Sequence, residues 1–599
     1  VVKAVKLLIL LVFLASSTAW ASPIFVLPKA TLLDDSGDIC TSCTVSFYEV
    51  GTSTPKEVYS DSTLDTSAGT SLTSNSAGRI AVTYFDGAYK IIVKDSDGVT
   101  LYTADNLRGM GAYVLGFAML SDYTSLSNAV STISTTETTL YIDTDDTMAG
   151  DVTVPATLSL VATKGNVVTL GAYALAINGP FDAGLFQVFS ENSTGGVTFG
   201  PSSVPRVYPQ WWGAVSDGST DDYAEMQSAA DSVSSGGTVY FVNGSSYYAC
   251  SNEIDIDTAT NVTLDFEPGA EIRMTADDKD TFVITQNYTT IRNATLQGEG
   301  TFVTDASTGA ALIHSTTGDY LTVENCVLKE AENKFISLDA GADYALITGN
   351  TLIGGPTTNT DNDHWGIHGY CDNTRIIGNR IQCNGSSGCT IQGIGLGNFA
   401  GPVTEVVISG NSINGCWDHG IYVTADKTVF SDNVIDGCGL KAQMSNVTAP
   451  ASLYGLTITG NVITVDDLAG PNSGDSGIFC VNCCHSIIDG NTVSKAQDYG
   501  IGVFSSAATR NIEGNIISNN TIEDVVDGAG TDAEGIVMEV SNVIKYNIIE
   551  GNTIRDIGDD GDDIQACISF KPADTADHVG NVIRGNICED SYEFGFYLL

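Results

Sequence analysis

Positive charge is what this sequence has least of. Its 599 residues carry 25 Lys+Arg against 72 Asp+Glu, for a formal net charge of −47. A chain so acidic repels phosphates and anionic headgroups, which excludes nucleic acid and an anionic membrane surface as partners. Long apolar runs are missing beyond the first residues, so the rest of the chain is not membrane-embedded. Charged residues as a whole are few, at 16 %, while hydrophobic residues reach 43 %, and this excludes a disordered acidic chain. Helical segments of the leucine-rich or ankyrin kind are absent, which removes those solenoids. Cys40-x-x-Cys43 has no second pair at zinc-finger spacing, so it reads as a local bridge or two free thiols. What the chain does have is glycine, 63 in all, with abundant Thr, Ser, Asn, Val and Ile. That composition is rich in strands and turns.

The first segment reads as an export signal. Two lysines lie within Val1–Lys6, Leu7–Ala15 is nearly all aliphatic, and Ala19-Trp20-Ala21 offers small residues for cleavage near Ala21. The expectation is a secreted or cell-surface protein whose 14 cysteines sit in an oxidising compartment.

Self-similarity organises the second half of the chain. The phrase aliphatic-x-Gly-Asn-x-aliphatic returns at Asn350, Asn379, Asn411, Asn461, Asn491, Asn552 and Asn586, with looser copies at Asn325, Asn433 and Asn520. From Asn325 the intervals are 25, 29, 32, 22, 28, 30, 29, 32 and 34 residues. A second phrase, Gly-Ile-x-aliphatic, alternates with it at Gly366, Gly420, Gly477, Gly500 and Gly535, with a Gly-Phe variant at Gly595. Short apolar runs of period two between Gly/Asn/Asp turns are strands. One such unit cannot bury its own apolar face, so the units stack into a solenoid with a continuous Ile/Val/Leu core. The fold class expected is all-β: a right-handed, single-stranded parallel β-helix over 140–599, preceded by a small antiparallel β domain. The recurring Asn reads as structural, through left-handed turns and a ladder of stacked amides. Cys416 and Cys438 each follow their repeat Asn by five residues, one coil apart, as a disulfide or as two buried thiols.

Upstream, 22–108 alternates in strand fashion with Asp-Gly turns and forms the small β domain; 109–139, with its Ser/Thr run, reads as a linker. The stretch Trp211-Trp212-Gly213-Ala214-Val215-Ser216-Asp217-Gly218, then Gly236-Gly237-Thr238-Val239-Tyr240-Phe241, resembles the opening motif of pectate-lyase-superfamily β-helices. The resemblance places this motif near 208–245 and implies a short helix at about Asp222–Val233 capping the open end of the solenoid. Phe47–Tyr102 is similar to N-terminal domains of phage tailspikes and tail fibres. A shared fold says little about reaction type.

If the solenoid carries chemistry, one line of polar residues just before the Gly-Ile phrase is the candidate. It comprises His364-Trp365, Trp417-Asp418-His419, Asp475, Asp498-Tyr499, Glu534 and Glu593. Asp475 and Asp498 are one coil apart, roughly 5 Å, and Asp418 is two coils from Asp475, roughly 10 Å. Glycoside hydrolysis uses two carboxyls at about 5–5.5 Å for retention or about 6.5–9.5 Å for inversion. Asp418, Asp475 and Asp498 are therefore the candidate catalytic carboxyls and His419 a proton relay. Trp365, Trp417 and Tyr499 would stack on sugar rings, with His364, His368 and Glu534 as further binding residues. The plain alternative is that Asp before Gly is turn chemistry in an Asp-rich protein.

Oxygen-rich turns supply a Ca2+ expectation: Asp361 and Asp363 in one, Asp559, Asp560, Asp562 and Asp563 in another. The second resembles the Gly-Asp-Asp-Cys-Ile pattern of polygalacturonase-type hydrolases, with broken spacing, and solvated turns are the alternative for both. A polyuronate lyase would need a cation near the substrate carboxylate, and Arg375 and Arg380 are the candidates. Two functional classes stand: a secreted enzyme cutting a polysaccharide, as hydrolase or lyase, and a non-catalytic glycan-binding or tailspike-like rod. Tyr592–Leu599 carries no polar cap, and a homotrimer is one way to cover that edge.

Overall fold

The computed structural model describes residues 31–598 apart from 61–63, 82, 85–87, 109–116, 192–194, 300–309, 355–363, 384–390, 398–402, 417–418, 444–452, 466–475, 506–510, 527–531, 541–542, 559–563 and 573–577. The expected signal segment lies outside the described residues. Two compact units divide the chain, Val1–Ala118 and Met119–Leu599.

In the first unit, four antiparallel strands lie in the order Ser71–Thr73, Thr44–Tyr48, Ala88–Lys94, Thr100–Arg108. Alternation along Thr44–Tyr48 turns Val45 and Phe47 inward against Val58, Tyr89 and Val93. The Tyr89 hydroxyl donates to Glu57 O at 2.7 Å, so the buried ring leaves no unpaired polar tip. Cys40 and Cys43 are joined as a disulfide.

The second unit is built from parallel strands. Three small sheets over 117–199 come first, and then three sheets of thirteen strands each run from Thr238 to Leu598. Every coil visits the three large sheets in turn, and each strand pairs in parallel with its counterpart one coil on. Single inward residues stack along the axis, for example Ile347, Ile376, Ile408, Phe430 and Ile458 of the first sheet, all fully buried. No helix among the described residues is long and apolar enough to cross a membrane.

Two expectations about the front of the solenoid are corrected. The segment read as a linker contains a strand at Phe117–Met119 and helix α1, Leu126–Ile133, whose Leu126, Ala129 and Ile133 at helical spacing are buried. Helix α2, Tyr223–Ser232, does not close an open end, because parallel strands precede it. It packs between the strands Gly196–Phe199 and Ile254–Ile256 through Met226, Ala229 and Ala230. The Asp222 carboxylate ahead of it accepts from Val215 N at 2.7 Å and Ser216 N at 3.0 Å. Trp211 and Trp212 of the same stretch bury against Phe181 and Phe189.

Both repeat phrases have a packing cause. In the Gly-Asn turn between the first and second sheets, the asparagine side chains form one unbroken ladder from Asn350 to Asn586, buried as far as Asn552 and half-exposed at Asn586. Asn461 is representative. Its Oδ1 accepts from Asn433 N and Nδ2 at 3.1 and 2.9 Å, while its Nδ2 donates to Asn491 Oδ1 at 2.9 Å and to Phe430 O at 3.1 Å. The left-handed residue is the one before the ladder position: Gly460 and Gly490 have φ of 66° and 65°, and Asp432 and Asn519 have 55°. Asn325 thus belongs to the glycine position, with φ 55°, and Cys326 stands in the ladder, its N–H donating to Asn350 Oδ1 at 2.8 Å. A second, shorter ladder runs from Ser486 through Asn515 and Asn547 to Asn581.

Glycine precedes the isoleucine of the third sheet for lack of room. A Cβ at Gly420, Gly500 or Gly535 would come within 2.4–2.5 Å of Ile435, Ile522 or Ile554 Cγ2. The same glycine position is filled at Gly393, where a Cβ would meet Gly420 O at 2.4 Å and Ile413 Cγ2 at 2.7 Å.

Candidate functional site

Alternation along the third sheet decides which side chains face outward. In Gly-Ile-x-aliphatic the isoleucine enters the core, so x is the exposed position. Register places Ser337, His368, Gly395, Tyr422, Phe479 and Gly502 in one outward row, with the backbone of Lys441 pairing between Tyr422 and Phe479. Two members of this row are glycines over which rings fold. The Trp365 indole covers Gly395, where a Cβ would come 1.7 Å from Cζ3, and the Phe504 ring covers Gly502, where it would come 2.3 Å from Cε2.

Aromatic rings consequently line this face. Trp365 lies 5.0 Å from His368 and 6.3 Å from Tyr422, centroid to centroid. Phe479 stacks on Phe504 at 4.7 Å, and Tyr499 meets Phe504 at 5.1 Å. From the strand of Trp365 to that of Tyr499 there are five strand intervals, about 24 Å. His368 is wedged between Trp365 and Tyr370. Burial, with some help from Lys334, pushes its pKa down to about 4, so the ring is neutral at neutral pH.

Ionic groups sit at the two ends of this face. At one end His314, in the same outward row as Ser337, is bracketed by Asp280 (Nδ1 to Oδ2, 2.7 Å) and Asp339 (Nε2 to Oδ2, 3.1 Å). The hydrogen bond to Asp280 outweighs burial and raises the imidazole pKa. At the other end Lys571 Nζ reaches both Asp532 and Glu534, the latter at 2.9 Å. Two carboxylates on one ammonium lie within about 6 Å of each other. Burial alone would depress the Lys571 ammonium, but the two carboxylates overcome it and raise its pKa. Burial pushes the Glu534 carboxyl up against the opposing pull of Lys571. Asp498 and Tyr499 adjoin this group, and Glu534 N donates to Asp498 O at 2.9 Å. The Tyr499 phenol is raised by burial first, and then by Glu534 and Asp498.

The candidates singled out in the sequence divide clearly. Trp365, His368, Asp498 and Tyr499 all stand on or at the edge of the third-sheet face. His419 is on the same sheet but buried against Tyr422, at 5.5 Å. Glu534 is fully buried with its carboxylate on Lys571, which removes it from direct contact with a bound chain. Arg375 and Arg380 belong to the first and second sheets, where the outward period of those strands points them away from this face. Of His364 only the backbone, at the start of its strand, is described. Trp417, Asp418, Asp475, Asp361, Asp363, Asp559, Asp560, Asp562 and Asp563 lie outside the described residues. Strand order does put Ile478–Val481 next to Tyr499–Phe504 and two strands from His419–Val423. Among the described residues no group of three or more His, Cys, Asp or Glu is placed to hold a metal ion.

Tyr422, Phe479, Phe504, His314 and Lys571 were missed in the sequence. The signal for the first two was the x of the Gly-Ile-x phrase itself; Lys571 and His314 come from strands that lack the phrase.

Residues 393–568 match the family described as the right-handed β-helix region, which gives the hand of this parallel solenoid. No curated protein matches the chain. Among solved structures it is similar to PfbA, a surface adhesin of Streptococcus pneumoniae, at 15 % identity over 60 % of this chain and 93 % of that one, with a TM-score of 0.40. A tailspike protein mutant of E. coli bacteriophage HK620 in complex with a hexasaccharide gives 14 % identity over 64 % and 78 %, with a TM-score of 0.44. The catalytic unit of a GH87 α-1,3-glucanase from Streptomyces thermodiastaticus gives 14 % over 65 % and 70 %, at 0.40. These are likenesses of fold.

Proposed function

We propose that this chain works outside the cell and holds an extended polysaccharide along the outer face of the third sheet. The observation that carries the reading is the aromatic row of Trp365, Tyr422, Phe479, Phe504 and Tyr499 on one flat face. Rings of this kind present apolar area at little entropic cost, while their polar tips meet hydroxyl groups. Cleavage is the second half of the proposal. Asp498, at the end of the row, serves as one carboxyl of a hydrolytic pair with Asp475 of the adjacent coil. One carboxyl protonates the glycosidic oxygen while the other activates water or attacks the anomeric carbon. Hydrolysis is preferred to elimination because Arg375 and Arg380 are on other faces and cannot neutralise a uronate there. No step is routed through Ca2+.

The test is affinity electrophoresis of the full chain in acidic and neutral polysaccharides, followed by mass spectrometry of the products. Retention with hydrated fragments supports both halves, and Asp498→Asn should keep retention while losing at least about 100-fold in rate. Retention without fragments leaves the second reading, a glycan-binding rod, which the capture of Glu534 by Lys571 favours. Failure to be retained by any polysaccharide overturns the proposal. A homotrimer is part of the same proposal, checked by light scattering: a monomer mass would remove it. Calcium dependence is checked by repeating the assay in chelator, where unchanged activity would remove Ca2+.

A further inference from the structure

Fourteen cysteines are present, and three pairs are bonded: Cys40–Cys43, Cys480–Cys483 and Cys567–Cys588. Seven described thiols are free and buried. Four of these sit apart from other free thiols and bond to neighbouring polar groups: Cys250 to Asn252 O, Cys326 to Glu324 O, Cys484 to Asn511 O, and Cys371 with the Thr374 hydroxyl. The other three occupy one corner of three successive coils, directly after the second-sheet strands Arg380–Gln382, Ser412–Asn414 and Val434–Asp436. Cys383 Sγ and Cys416 Sγ are 3.3 Å apart. Asn414 pairs in register with Asp436, and Cys416 and Cys438 each follow by two residues. Left-handed glycines, Gly415 with φ 69° and Gly437 with 83°, aim both thiols at the same corner.

We propose that Cys383, Cys416 and Cys438 form a single exchangeable disulfide site in which Cys416 is the shared partner. Neighbouring coils are about 4.8 Å apart, inside the Cα range a disulfide accepts, so the pairs 383–416 and 416–438 both qualify. Cys383 and Cys438 are two coils apart, at about twice that distance, and do not. Cys416 can bond only one neighbour, and the remaining thiol is left beside the bridge. Formation needs a two-electron oxidant of the disulfide class: two thiols lose two hydrogens to become one S–S bond, and oxidised glutathione is reduced to two glutathione thiols. Exchange needs none. The Cys383 thiolate attacks Cys416 Sγ, the new S–S bond forms as the 416–438 bond breaks, and Cys438 leaves as a thiolate that takes up the released proton. The neighbouring thiols and burial raise the Cys416 thiol well above its ordinary value, which slows its first attack on the oxidant while the coils stay closed. Either bond staples adjacent coils at the corner that feeds the third-sheet strand His419–Val423, which carries Tyr422.

Peptide mapping of the full chain tests this. The protein is incubated folded with oxidised glutathione, quenched in acid, alkylated in denaturant, digested and weighed. The expected products are the peptide pairs 383–416 and 416–438, mutually exclusive in one molecule and each lighter by two hydrogens. Cys383→Ser should leave only the 416–438 pair and Cys438→Ser only the 383–416 pair. Cys416→Ala, of small volume and apolar, should leave both neighbours alkylated, with circular dichroism confirming the fold. Full alkylation of all three residues in the oxidised wild type would overturn the proposal. So would a 383–438 bond in Cys416→Ala, or a dominant bond from Cys416 to Cys389, the one cysteine outside the described residues.

Discussion

Replacing Asn461 by alanine is the most direct test of what holds the solenoid together. The side chain sits in mid-ladder at 0 % exposure and makes four hydrogen bonds. Its removal affects four partners unequally. Asn433 Nδ2 keeps its bond to Ile408 O at 3.0 Å, and Asn491 Oδ1 keeps the one from Asn461 N at 3.0 Å. Phe430 C=O keeps the ladder bond from Thr459 N that the parallel register of the two strands gives it, so Asn433 N–H, enclosed between coils, is the one group left without a partner. An orphaned buried group costs about 1–3 kcal/mol, so the substitution should cost about that much. The matched control is Asn586→Ala at the other end of the same ladder. There Oδ1 accepts from Asn552 N and Nδ2 at 3.0 and 2.9 Å, but the site is half-exposed and water can replace the amide. Its cost should stay under about 1 kcal/mol. Stacked coils need not unfold in one step, so urea midpoints should be paired with hydrogen exchange at the strands flanking each site. Exchange should accelerate around Val429–Ser431 and Val462–Thr464 in Asn461→Ala and stay local in Asn586→Ala. Equal and small losses at both positions would refute the view that the ladder is a buried, obligatory network.

Crowding makes Gly500→Ala a second test: the new Cβ would stand 2.4 Å from Ile522 Cγ2 and 2.7 Å from Gly535 O, and the thermal midpoint should fall by the equivalent of about 1–3 kcal/mol. Gly490→Asn, at φ 65° with open space around it, should change stability by less than about 1 kcal/mol, because Asn519 already holds that position one coil on. Gly395→Ala should displace the Trp365 ring without disturbing the core, weakening retention by polysaccharide roughly threefold to tenfold with unchanged circular dichroism. An unaltered retention would show that Trp365 is not a platform. His368 gives a pH signature. Its folded pKa of about 4 is below the ordinary imidazole value of about 6.5, so its contribution is complete above pH 6.5 and is lost as pH falls toward 4. Denaturation midpoints for wild type and His368→Gln should therefore converge on acidification across that window, and parallel curves would contradict the assignment.

Period-two patterning and the returning Gly-Asn and Gly-Ile phrases were enough to give the solenoid from sequence, because each depends on contacts repeated identically at every coil. The Asn ladder was legible for the same reason, although its register at Asn325 slipped by one. There a left-handed asparagine took the place of glycine, and Cys326 took the place of the amide. Segment 126–133 was passed over because Leu126, Ala129 and Ile133 are embedded in a Ser/Thr-rich run that reads as a connector.

Only the tertiary structure decided the face. Polar residues before the Gly-Ile phrase looked like a continuous edge, yet packing sent them to different fates. Asp498 stayed near the surface, while Glu534 was drawn under Lys571 from the next strand. Arg375 and Arg380 were close in sequence to the Trp365 strand, but a solenoid turns a corner every few residues and carried them to other sheets. The rings of Trp365 and Phe504 were visible as letters, but not the glycines of neighbouring positions, Gly395 and Gly502, that let them lie flat. Local propensity and periodicity fix which residues turn inward within one coil. Which outward side chains meet depends on the register between coils, and that is set by stacking across 20 to 35 residues of chain.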